Sequence, residues 1–309
     1  MTTAGITFGV QVGLESKRQL LETAKRVEAL GFDSLTVADH PGSSASPFPV
    51  LAAAAAVTER LRLGPYVANA GLRRPLDLAV DTATLDVVSD GRAFLGLGAG
   101  HSPSEWSTQG MVRPDGRGRI QQLIETAEAV QALLDGERVT TNTAFVSLVD
   151  AYLEQPQPLQ DRVPMWIGGN NTELLRYAGA NADVVAFSGL GKTLPDGHRH
   201  EVKWRPDQID HSVGIVEQAG AERAAPPVRQ ALVQVVTVTD HRKREAASIA
   251  SRIGAPTDVV LDSPYLLIGT IEELVDQLVA NRERWGFTSY VVRAPAIDAI
   301  AEVIDRIGA

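Results

Sequence analysis

Apolar positions in this chain follow two alternating periods. Short runs rich in β-branched and other apolar residues give way to longer stretches in which apolar residues recur every three or four positions. Residues 6–12 (Ile-Thr-Phe-Gly-Val-Gln-Val) predict a strand. Residues 18–30 predict a helix, with Leu20, Leu21, Ala24, Val27 and Leu30 on one face and Gly31 as a stop. The pairing recurs. Strands are predicted over 34–38, 61–68, 92–99, 163–167, 183–187, 228–239 and 289–293. Helices are predicted over 49–60, 76–88, 119–134, from 172, and over 207–222, 242–253, 271–285 and 297–307, with a short segment at 266–268. Residues 138–153 lack a helical period and carry many β-formers, which predicts an inserted hairpin. Residues 188–206 are rich in glycine, histidine and lysine, without periodicity, and predict a long mobile loop. Eight strand–helix pairs with no linker of different composition predict one barrel over residues 1–309, with insertions near 137–153 and 188–206. A doubly wound sheet shares the alternation and stays open as the other α/β solution.

Composition narrows the chemistry more than the fold. The 309 residues are 44% apolar and 22% charged, as in an ordinary globular protein. No cysteine is present, which excludes disulfides, thiolate metal sites and a cysteine nucleophile, and fits a reducing cytoplasm. Lys and Arg number 29 against 38 Asp and Glu, a net charge of −9, so neither nucleic acid nor an anionic membrane is an expected partner. The start of the chain lacks a charged n-region and apolar core, so no signal peptide is expected. The longest apolar stretch, 47–57, is too short to span a bilayer.

Three strand ends could carry chemistry. Asp39-His40 ends the second strand, on the face where barrels place active sites; as an arbitrary pair it reads equally as a turn cap and a surface histidine. Gly96-Leu-Gly-Ala-Gly100 ends the fourth strand. Pro103 and the delayed helix argue against a dinucleotide loop, while a strand end without side chains lets a flat ring lie against backbone. Gly168-Gly169-Asn170-Asn171 leads from the fifth strand into a helix, where free amides could bind phosphate or simply be capped. Ser188-Gly-Leu-Gly-Lys192 could add amides and a cation after the sixth strand. His198, His200 and His211 lack regular ligand spacing, so no metal is expected.

In their order and spacing these segments resemble the luciferase-like monooxygenase superfamily, and within it the coenzyme F420-dependent oxidoreductases. The segments are Ala29-Leu-Gly-Phe-Asp-Ser-Leu with Asp39-His40, Leu63-Gly-Pro-Tyr-Val, Arg74-Pro75, and 83–92 leading into Leu95-Gly-Leu-Gly-Ala-Gly100 with Glu105. Pro164-Met-Trp-Ile-Gly-Gly169 and 268–274 complete the match. The resemblance implies a (β/α)8 TIM barrel, a homodimer, a small-molecule substrate and a deazaflavin in the barrel mouth. It places Asp39 and His40 at the ring and reacting substrate. Tyr66 and Val67 fall at a bulge with a non-prolyl cis peptide, and Ala99, Gly100 and His101 on the same face. Gly168, Gly169 and Asn170, with Ser188 and Gly189 opposite, fall at the cofactor phosphate.

Two departures stand out. His101 occupies the position of the glutamate acid of the sugar-phosphate dehydrogenases, and Pro41-Gly-Ser-Ser-Ala lacks the tryptophan those enzymes carry after Asp-His. The resemblance therefore implies the same cofactor with a different substrate, and hydride transfer in the direction of C=C or C=N reduction. His40 or His101 would move the proton, with Asp39 orienting the histidine or contacting the ring. An FMN-dependent monooxygenase on the same fold is the alternative, distinguished by whether cations such as Lys192, Arg199 and Lys203 meet an anionic cofactor tail. A non-catalytic flavin-binding barrel is a third reading.

Overall fold

The computed structural model describes residues 5–194 and 200–308. Its strands and helices alternate as β1 Thr7–Val12, α1 Lys17–Ala29, β2 Ser34–Val37, α2 Pro47–Ala55, β3 Arg62–Pro65, α3 Pro75–Val88, β4 Leu95–Gly98 and α4 Gly116–Leu134. The second half adds β5 Met165–Gly168, α5 Thr172–Asn181, β6 Val184–Phe187, α6 Pro206–Ala219, β7 Val228–Leu232, α7 Ile271–Trp285, β8 Phe287–Arg293 and α8 Ile297–Gly308.

All eight strands pair in parallel in the order β3-β2-β1-β8-β7-β6-β5-β4. Closure comes from both ends of the third strand. The Leu63 amide donates to Arg92 O at 2.9 Å and Leu63 O accepts from the Phe94 amide at 3.0 Å, while Ala68–Asn69 pairs with Leu97 and Gly98. The sheet is a closed barrel, which removes the doubly wound alternative.

Two apolar layers hold it. The larger lies between strands and helices and includes Leu20, Leu51, Leu85, Leu123 and Leu274. The smaller fills the barrel interior with Tyr66, Phe94, Trp166, Val184, Ala186, Leu232 and Val291. Phe94 stacks on Trp166 with centroids 3.7 Å apart. Gly64 and Gly96 make that filling possible, because a Cβ would sit 2.3 Å from Phe94 O at the first and 2.2 Å from Pro65 O at the second.

Four local expectations change. The third strand breaks at the cis peptide between Tyr66 and Val67 and resumes at Ala68. The predicted strand over 228–239 is two elements: after Leu232 the chain leaves the barrel, and Val235–Val238 pairs in parallel with Leu266–Gly269. Both pieces are apolar, so periodicity runs through the turn. The predicted 188–206 loop contains an antiparallel hairpin, Leu190–Thr193 with His200–Val202; short polar strands of this kind carry no periodic signal. Within that loop, His198 and Arg199 lie outside the described residues. A short helix, Pro103–Ser107, starts well before the predicted helix over 119–134, with proline at its first position. The inserted hairpin is present as Val139–Asn142 with Ser147–Ala151.

Candidate active site

The carboxyl ends of the strands open into a cleft of about 1110 Å³. Asp39, His40, Tyr66, Val67, Ala99, Gly100, His101, Gly168, Gly169, Asn170 and Ser188 all line it. Gly189 is not on that wall. It has φ +65, and a Cβ there would lie about 2.5 Å from the Trp204 and Tyr265 rings, so it packs the base of the hairpin beneath the cleft.

His40 is half-buried, and its Nδ1 lies 2.8 Å from Oε1 of Glu105, whose side chain is 5% exposed. The other carboxylate oxygen, Oε2, accepts from Asn69 Nδ2 at 2.7 Å, and Asn69 Oδ1 in turn accepts the Gly71 amide at 3.0 Å. This chain of bonds fixes the histidine's tautomer: Nδ1 carries the proton toward the carboxylate, leaving Nε2 for a ligand. The hydrogen bond to Glu105 raises the His40 pKa above its ordinary value, against the opposing effect of burial.

Asp39 does not orient the histidine. Its Oδ2 accepts from Arg73 Nε at 2.6 Å and from the Asn69 amide at 3.0 Å, and its Oδ1 accepts from Arg73 at 2.9 Å. A planar guanidinium meeting a buried carboxylate on two oxygens is a rigid arrangement. The orienting role expected of Asp39 falls to Glu105.

The two candidate histidines are shifted in opposite directions. His101 meets His40 edge-on, with centroids 5.3 Å apart, and His200 of the hairpin at 4.8 Å. Burial, and then the neighbouring His200 and His40, push its pKa down to about 4. Near neutral pH His101 is a neutral imidazole, and His40 is the histidine suited to give a proton. Among the described residues no group of histidines and carboxylates could hold a metal ion.

At the far end, Asn170 Nδ2 donates to Ser188 Oγ at 3.0 Å and to Leu190 O at 2.9 Å. The Asn171 side chain caps α5 by accepting the Glu173 and Leu174 amides, and the Gly169 amide donates to Ala186 O. The amides of Asn170, Asn171 and Thr172 have no acceptor among the described residues. Lys203 Nζ stands 3.4 Å from Asn170 O. Open amides, the start of a helix and an ammonium group together suit a phosphate.

Sequence reasoning quoted Glu105 without giving it a role, and it missed Asn69, Arg73, Arg113, Arg119 and Arg293. Arg113 donates to His101 O at 2.8 Å and Arg119 to Gly100 O at 3.2 Å, so both brace the glycine-rich strand end while lining the cleft.

Residues 2–289 match the model of the luciferase-like monooxygenase family. The chain belongs to that family. A Beutenbergia cavernae protein named F420-dependent glucose-6-phosphate dehydrogenase is 36% identical over 186 residues, 57% of this chain and 54% of the relative. That match spans about half of the relative's length. An Amycolatopsis mediterranei protein of the same name is 26% identical over 302 residues, 93% of this chain and 84% of the relative. Among solved structures, the coenzyme F420 dependent tetrahydromethanopterin reductase from Methanopyrus kandleri superposes with a TM-score of 0.77 at 20% identity, covering 97% of this chain and 98% of that one. The oxygenating constituent of a Pseudomonas putida diketocamphane monooxygenase in complex with FMN gives 0.71 at 17% identity, covering 98% and 96%. Luciferase-like barrels with different flavins thus share this fold.

Proposed function

We propose that this protein is a coenzyme F420-dependent oxidoreductase that passes a hydride between the deazaflavin and a small organic substrate, in the direction of C=C or C=N reduction. The observation that carries the reading is the His40–Glu105 pair, a proton-bearing imidazole at one end of a cleft whose other end offers open amides and Lys203. Relatives named as F420-dependent enzymes support the choice of cofactor. When bound, the reduced cofactor would supply the hydride that ends on the substrate.

The chain's own residues do the rest. Tyr66, Val67, Ala99 and Gly100 offer a wall of backbone and small side chains for a flat ring. Gly168, Gly169, Asn170 and Ser188, with Lys203, hold the phosphate. His40 gives a proton from Nε2 to the substrate and takes one back from solvent, which its half-exposed ring reaches, while the Glu105 hydrogen bond favours the protonated form. Neutral His101, standing where a carboxylic acid serves the sugar-phosphate dehydrogenases, and the absence of a tryptophan at 41–45 argue for a substrate other than a sugar phosphate. The proposal extends to a homodimer, supported by Val80, Val87 and Val88, which project exposed from one side of α3, and to a cytoplasmic setting.

Titration of the protein with F420 and, separately, with FMN, read by ring absorbance or fluorescence, tests this reading. Tighter binding of F420 is expected. Tighter binding of FMN, with oxygen consumed on reduction, would move the protein to the monooxygenases.

A further inference from the structure

Arg293 ends β8, and in strand register it stands beside Gln11 of β1. It donates to Gln11 Oε1. Gln11 Nε2 donates in turn to Tyr66 O at 2.6 Å, which fixes the amide and leaves Oε1 facing the guanidinium. Both residues line the cleft. Among the described residues no carboxylate lies within ion-pair distance of Arg293. The acidic side chains at this end of the cleft are already engaged, Asp39 by Arg73 and Glu105 by His40 and Asn69.

Arg293 is an exposed residue on the cleft wall, and partial desolvation there holds its pKa below the ordinary guanidinium value. A guanidinium that faces the cleft without a carboxylate partner is open to an incoming anion, which it can hold through charge-assisted hydrogen bonds. The position also separates it from the phosphate-holding groups proposed above. Those come from the ends of β5 and β6, whereas Arg293, Gln11 and His40 come from β8, β1 and β2, adjacent strands on the other arc of the barrel.

We propose that Arg293 is the substrate anchor, taking a carboxylate on the substrate so that the neighbouring reducible bond lies beside His40. The inference rests on the oxidoreductase reading and narrows its substrates to small organic carboxylates. A guanidinium fork suits a carboxylate through two parallel hydrogen bonds, and Gln11 keeps that fork aimed.

The test compares 4-fluorobenzoate with neutral 4-fluorobenzamide by fluorine NMR titration, on cofactor-free and on F420-saturated protein. Wild type is expected to prefer the benzoate by ~10-fold or more, the worth of a charged hydrogen bond. Arg293→Gln should abolish that preference, and Lys203→Gln, at the opposite end, should keep it. Arg293→Lys retains charge without the fork and serves if Arg293→Gln does not fold; it should weaken the preference several-fold. Retained preference in Arg293→Gln, or its loss only in Lys203→Gln, would overturn the proposal. So would a large drop in F420 affinity on Arg293→Gln, which would assign the guanidinium to the cofactor. If wild type failed to bind F420, the cofactor reading would fall while the benzoate comparison on cofactor-free protein still decided the anion site.

Discussion

Glu105→Gln isolates the interaction that sets the protonation of His40. The substitution keeps the shape and the Asn69 contact but removes the negative charge 2.8 Å from Nδ1. A charged hydrogen bond of this kind contributes about 1.5–3 kcal/mol, and one pKa unit corresponds to about 1.4 kcal/mol. The His40 pKa should therefore fall, and burial, which already opposes protonation, should then dominate. Because the folded-state pKa of His40 is raised, its contribution to stability is fully present below the unfolded value near 6.5 and is lost as pH rises through the folded value. In Glu105→Gln that contribution disappears. The assay is an NMR titration of the His40 ring, with single-turnover hydride transfer measured across the same pH range. If His40 is the donor, the limb on which the rate declines with rising pH should move to lower pH by the same amount as the ring pKa. An unchanged ring pKa would refute the claim that Glu105 sets it. A shifted ring pKa with an unchanged rate profile would remove His40 from the proton step.

Gly169→Glu should mainly weaken cofactor binding, since a side chain there collides with Leu174 and sets negative charge beside the open amides; wild-type affinity in a folded variant would put the phosphate elsewhere. F420 affinity should also fall as salt rises, because Lys203 meets its anion near solvent, and a salt-independent Kd would contradict that pairing. Asp39→Asn breaks a buried, doubly bonded pair with Arg73 and should cost about 3 kcal/mol or more in denaturant unfolding; a loss under about 1 kcal/mol would mean the pair is dispensable. His101→Asn should flatten the fall in Tm as pH drops from about 6.5 to about 4. The folded His101 pKa of about 4 makes the unfolded state take up the proton first across that window, so an unaltered Tm profile would contradict the buried neutral imidazole.

The alternation of strand and helix was legible because most barrel strands are short, largely apolar runs and each helix keeps an apolar stripe, so period separates them. Asp39-His40 and the glycine-rich end of β4 were legible for a related reason: a polar pair or a run of glycines directly after a strand falls on the functional face. Glu105 was not. Its partners, His40 and Asn69, lie 65 and 36 residues away, and only the barrel's closure brings them together. Asp39 was expected to orient His40 or to contact the ring; neighbouring residues at a strand end point in different directions, and its carboxylate turns to Arg73. Arg293 has no motif at all. Its proposed role rests on there being no carboxylate within ion-pair distance among the described residues, which no local pattern records.

Stereospecifically deuterated reduced F420, offered with an electron-poor alkene carboxylate under anaerobic and aerobic conditions, tests the central claim most directly. The account predicts one deuterium delivered per product molecule, with F420 oxidised in equal amount and no dependence on oxygen. Oxygen consumption matched to cofactor oxidation, or product without the label, would contradict hydride transfer from the deazaflavin in this cleft.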